Sequence, residues 1–120
     1  MNIEFPVFVC TKDSGEIQMF ESLYDLQYHL EEIDVENAEY LVWDKCGKPV
    51  SLAVQKPVWI NLESTIDLQQ LDLKSCLEKY ADKLGIAIKL KEESAPEFSQ
   101  AYEQINAESK LRARPKFFKK

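Results

Sequence analysis

Glycine is scarce in this 120-residue chain: Gly15, Gly47 and Gly85 are the whole set. They stand far apart, so neither a GxGxxG nor a Walker phosphate loop can be assembled, and there is no GxSxG elbow. The chain has one histidine, His29, and three isolated cysteines, Cys10, Cys46 and Cys76. No CxxC or HExxH spacing offers metal ligands, and an odd number of scattered cysteines does not suit a disulfide framework. No run approaches the ~18 apolar residues of a membrane span. The opening MNIEFPVFVCTKD lacks a basic segment before a long apolar one, so no secretory leader is expected. A reduced, cytoplasmic protein without cofactor or metal is the expectation.

Cations are also missing, over one long stretch. Between Lys12 and Lys45 there is no lysine or arginine, while ten acids occur: Asp13, Glu16, Glu21, Asp25, Glu31, Glu32, Asp34, Glu36, Glu39 and Asp44. The overall charge of −6 conceals this, because Lys110 to Lys120 carries six bases and no acid, leaving −12 on residues 1–109. Solvated surfaces normally mix signs, since like charges repel. A field of one sign becomes useful when something basic docks against it, speeding encounter and rejecting wrong partners. The same field repels phosphates, so nucleic acid is not the expected ligand. The tail KLRARPKFFKK is the exception: its bases and phenylalanines suit either RNA or the protein's own acidic face.

With 45% hydrophobic residues the chain supports one ordinary core, assigned to residues 1–109 with 110–120 as a basic tail. FPVFVC (5–10) is apolar on both alternating faces, which suits a strand covered on two sides. After the KDSG turn, EIQMF (16–20) completes a hairpin. Ser22 and Asp25 have capping-box spacing, with Leu23, Leu26, Leu30 and Ile33 as one helical stripe. Tyr24 and Tyr28 widen it or flank it, and His29 falls on the polar side with Asp25 and Glu32. YLVWD (40–44), VSLAV (50–54) and VWINL (58–62) read as a meander turning at KCGKP and QKP. ESTIDLQQ reads as a loop or helical turn. Leu73, Cys76, Leu77, Tyr80, Ala81 and Leu84 mark a helix begun at Asp72 and ended at Gly85, with Ile86 making the apolar contact beyond. IAIKL (86–90) reads as a last strand, and Pro96 opens a helix over 96–112. The class is α+β: an antiparallel sheet of five to six strands with two or three helices packed mainly on one face.

Chemistry has few carriers. Lys45 and Lys48 flank Cys46 and favour its thiolate, but a nucleophile also needs a base, and nothing in the sequence brings His29 to it. An exposed turn residue is the simpler reading of Cys46, and Cys10 and Cys76 read as core. A pair among 21 acids offers a third chemistry with no residues singled out. A small cytosolic enzyme using His29 and Cys46 or a carboxylate pair, and an RNA-associated protein acting through its tail, are the alternatives to a binding protein.

Around DVENAEYLVWDKCGKPV the chain resembles small bacterial immunity proteins, the antidotes to polymorphic or contact-dependent growth-inhibition toxins. The residues concerned are Phe20, Leu23, Asp34, Glu36, Glu39, Tyr40, Trp43, Asp44 and Gly47, within 20–55. Cys46 and the basic tail depart from the pattern. The resemblance implies a compact acidic inhibitor, not an enzyme, whose carboxylates imitate phosphates and cover the cleft of a cognate toxin, a basic nuclease. Glu31, Glu32, Asp34, Glu36, Glu39 and Asp44 are the expected contacts, with Tyr40 or Trp43 as the buried anchor.

Overall fold

A computed structural model of the chain describes residues 3–55, 59–64 and 71–112. The QKP turn from residue 56, the strand start at 58, most of ESTIDLQQ and tail residues 113–120 lie outside them. Five strands, β1 (Val7–Thr11), β2 (Ile17–Phe20), β3 (Tyr40–Trp43), β4 (Pro49–Gln55) and β5 (Trp59–Ser64), form one antiparallel sheet in the order β2-β1-β3-β4-β5. Among the described residues four helices accompany it: α1 (Leu23–His29), α2 (Glu32–Glu36), α3 (Leu73–Lys83) and α4 (Ala95–Arg112). The class is α+β as the pattern predicts, with one more helix.

The helices divide between both faces of the sheet instead of gathering mainly on one. Val7, Val9, Phe20, Val42, Val50 and Ile60 pack against Leu26 and Leu30 of α1 and Val35 of α2. From the other face Phe8, Cys10, Ile17 and Trp43 meet Leu73, Leu77 and Ala81 of α3 and Phe98 and Ile105 of α4. Alternate residues of β1 therefore feed two cores, which is why its sequence is apolar throughout. Helix α1 touches both edge strands, β2 and β5, so the sheet curves around it. The Gln27 side chain donates to the Ile60 carbonyl on β5 at 2.7 Å, occupying a group at the sheet edge.

The leucine stripe from Leu23 does not continue as one helix. Leu30 is already extended at ψ 148°, and a new helix begins after Glu31. A single helix would put Glu31, Glu32 and Asp34 at its negative C-terminal end. The break moves them to the start of α2, where the peptide dipoles favour carboxylates. Consequently Ile33 leaves the apolar stripe and is 64% exposed.

Local stops are well made. Ser22 Oγ accepts from the Asp25 amide at 3.1 Å, one half of a capping box. Beyond α3, Gly85 sits at φ +75°, its amide donates to the Asp82 carbonyl at 2.9 Å, and the Ile86 amide donates to the Ala81 carbonyl at 2.8 Å. This is a complete Schellman stop, and Ile86 is buried as its apolar partner. Residues 86–90 keep strand periodicity, with Ile86 and Leu90 buried and Ala87 and Lys89 exposed, yet join no sheet. They run extended beside α4, and the Leu90 amide donates to Glu78 Oε2 at 3.1 Å in place of a ladder bond.

Candidate functional site

Helices α1 and α2 cover the same face of the sheet, so their outward sides form one surface. Residues 21–39 contribute seven acids and no lysine or arginine to this layer, whereas residues 71–110 behind the sheet mix eight acids with six lysines. Solubility requires no such segregation. Glu21, Glu31 and Glu36 are exposed and Glu39 is half-buried, and no lysine or arginine among the described residues pairs with them. Amid these carboxylates stand three large apolar side chains without cover: Tyr24 (75% exposed), Tyr28 (76%) and Ile33. Uncovered side chains of this size on one acidic layer have the composition of an interface centre with a polar rim.

The acidic segment is also held rigidly. Asn37 caps α2, and Ala38 takes the left-handed conformation, φ +55°. The Ala38 amide donates to the Val35 carbonyl at 3.1 Å and the Glu39 amide to the Asp34 carbonyl at 2.9 Å. This is a Schellman stop built with alanine where glycine is usual. The Tyr40 hydroxyl donates to Asp34 Oδ2 at 3.3 Å, tying the start of β3 back to α2. Burial raises the Tyr40 phenol above its ordinary value, and the Asp34 and Glu31 charges add to the rise. Exposed Glu36 and half-buried Glu39 thus flank a hydrogen-bonded corner, which lowers the entropic cost of engaging a partner.

The sequence-predicted contacts separate into three groups. Glu31, Asp34, Glu36 and Glu39 lie together on the α1–α2 layer; Glu32 opens α2, and its side chain is not among those described. Tyr40 is half-buried and serves the corner just described. Asp44 and Trp43 are elsewhere employed. Asp44 Oδ1 accepts from the amides of Cys46 (2.8 Å) and Lys48 (3.0 Å), so its carboxylate shapes the β3–β4 turn. Trp43 is fully buried on the α3–α4 side, its indole Nε1 donating to the Leu71 carbonyl at 3.0 Å. It is a core residue and cannot anchor a partner. The surface aromatics that can do so, Tyr24 and Tyr28, looked like the margins of a buried stripe because the sequence does not reveal that α1 stops at His29.

His29 and Cys46 are not brought together. The imidazole packs against Phe20 and Tyr28, with Nδ1 2.9 Å from the Asp25 carbonyl and 3.8 Å from Asp25 Oδ1. Cys46 is exposed at the β3–β4 turn, whose Gly47 lies under Phe98 of α4 on the opposite side of the sheet. Neighbouring Lys45 is engaged by Glu4 at 2.9 Å, and that ammonium holds the Glu4 carboxyl below its usual value.

The two remaining cysteines are a surprise. Cys10 on β1 and Cys76 on α3, 66 positions apart, both line a cleft of about 760 Å³. Its apolar wall includes Leu41, Leu71 and Tyr80, and its cations are Lys12, Lys79 and Lys83. Cys10 and Cys76 sit in one core cluster, near enough for a weak thiol–thiol bond to shift both of their protons, and the Cys10 thiol donates to the Thr11 carbonyl at 3.8 Å. The Cys76 bond holds the Cys10 thiol below its ordinary value; burial opposes this and Lys79 assists. The same bond, then burial, pushes the Cys76 thiol up. No spacing motif announces such a pair, since a strand and a distant helix supply one sulfur each. Among the described residues no group of three or more potential metal ligands converges, and no helix is long and apolar enough to cross a membrane.

Compared with known proteins, the chain matches no family model, no curated sequence and no solved structure.

Proposed function

We propose that this protein is an inhibitor of the immunity type, which binds a basic toxin domain, a nuclease in the most natural case, through its α1–α2 layer. The single observation that carries the reading is the coincidence on one layer of carboxylates that pair with no lysine or arginine among the described residues and of exposed Tyr24, Tyr28 and Ile33. Long-range attraction from Glu21, Glu31, Glu36 and Glu39 steers the cationic partner in, and the aromatic pair then supplies desolvated contact area. Carboxylates spaced along a surface occupy positions that substrate phosphates would take in a nuclease cleft, so the same contacts give binding and inhibition together. Asp44 and Trp43 have no part in this interface; the first shapes a turn and the second fills the core.

The test uses the triple substitution Glu31→Lys, Glu36→Lys, Glu39→Lys, whose wild-type side chains hold no internal contact needed by the fold. The neighbouring open reading frames are screened for a basic toxin domain, which is co-expressed with the protein and assayed for growth arrest and for association rate. The triple variant should stay folded, lose protection, and associate about ten-fold or more slowly at low salt, with the difference shrinking as salt screens the field. Unchanged protection and an unchanged rate would overturn the reading.

A further inference from the structure

The Cys10–Cys76 pair is independent of the α1–α2 layer. The sulfurs lie on the opposite side of the sheet, in the core shared by β1 and α3. Each is only slightly exposed, Cys10 at 6% and Cys76 at 7%, and both line the same cleft. A purely structural pair of core cysteines would be sealed within apolar neighbours. These two border a cavity large enough for a small organic molecule, with Lys79 beside them to favour a thiolate and Leu41 and Tyr80 to limit water. Cys46, the third free cysteine, is exposed at a turn and has no second thiol in its interactions, which makes it an internal comparison.

We propose that Cys10 and Cys76 form a redox-active dithiol that a hydroperoxide entering this cleft converts to an intramolecular disulfide. The Cys10 thiolate attacks the terminal peroxide oxygen. The O–O bond breaks, and the departing alkoxide or hydroxide takes the proton Cys10 gave up, leaving as alcohol or water. Cys10 is then a sulfenic acid. The Cys76 sulfur attacks the Cys10 sulfur, the S–O bond breaks, and the hydroxide released collects the Cys76 proton as water. Two thiols have lost two electrons in total, and the peroxide has gained them. Cys76 is thus the resolving thiol, held by α3 in the same core cluster and along the same cleft as the sulfur it must reach. The product staples β1 to α3, and a dithiol reductant restores the starting state.

The test uses the Cys46→Ser protein, so that the exposed thiol does not contribute. The folded protein is treated with hydrogen peroxide, alkylated, and digested with trypsin without reduction. The expected product is the peptide MNIEFPVFVCTK joined to SCLEK, lighter by two hydrogens than the separate pair and lost on reduction with dithiothreitol. In the Cys76→Ala, Cys46→Ser protein the same treatment should leave Cys10 as a sulfenic acid that dimedone traps. Both peptides recovered as free, alkylated thiols, or Cys10 carried to sulfinic acid without any linked product, would overturn the proposal.

Discussion

Replacing Gly47 with alanine isolates a contact that joins the β3–β4 turn to α4. Gly47 has φ +86°, a conformation that costs an L side chain about 1–2 kcal/mol. A methyl group there would also lie 2.9 Å from Cε2 of Phe98. That ring carbon is the far end of a side chain, but Phe98 is fully buried and its ring meets Phe8 edge-on at 6.3 Å, so it has little room to yield. Overpacking of this kind adds about 1–3 kcal/mol, giving a total of roughly 2–5 kcal/mol. Gly15 supplies the comparison. It shares the positive φ, +76°, but a methyl group added there meets nothing within 4 Å. Gly15→Ala should therefore cost only the conformational part. Urea unfolding of both variants measures the difference, with unchanged slopes confirming that the native state is the one affected. In the Gly47→Ala background, Phe98→Leu should cost less than it does alone, because it removes the collision. Equal losses for the two glycine variants would refute the placement of Phe98 against the turn.

Two further outcomes follow from the same contacts. Ala38→Gly should stabilise the protein by about 0.5–1 kcal/mol in urea unfolding, since the relief of a left-handed alanine exceeds the entropy glycine adds to the unfolded chain; association with the partner should be unaffected, as no carboxylate changes. Tyr40, Tyr80 and Tyr102 all have phenols raised by burial, so in the folded state they keep their protons to higher pH than in the unfolded one. Their contribution is fully present below the unfolded value of about 10 and is lost as pH rises through the folded values, so tyrosinate absorbance should grow together with loss of structure above about pH 10.

The legibility of this fold varied with how local its causes are. Ser22, Gly47 and Gly85 act within a few residues of themselves, and each does in the structure what its sequence position predicts. The unbroken apolar run at β1 shows in advance that this strand is covered twice. The division of helices between the two faces follows from that run, but the preference for helices on one face obscured it. Period alone misassigned residues 86–90: the alternation of buried and exposed side chains is present, but a strand also needs a ladder partner, and Glu78 satisfies the Leu90 amide instead. The end of α1 depends on a balance between the apolar stripe and the charge of Glu31 and Glu32, and only its resolution reveals that Tyr24, Tyr28 and Ile33 stand in the open. The acidic segment was plain as composition, whereas the withdrawal of Trp43 and Asp44 from it depends on which face of β3 meets α3 and on the turn's need for an acceptor. The Cys10–Cys76 pair is a product of tertiary structure alone, with neither cysteine marked by its neighbours in sequence.

Hydrogen exchange of the protein with and without the basic domain proposed as its partner maps the binding face. New protection should concentrate in residues 21–40, covering α1, α2 and the Ala38 corner, with the α3–α4 layer unchanged. Protection centred instead on the Cys10–Cys76 cleft or on the basic C-terminal residues, with 21–40 exchanging as in the free protein, would contradict it.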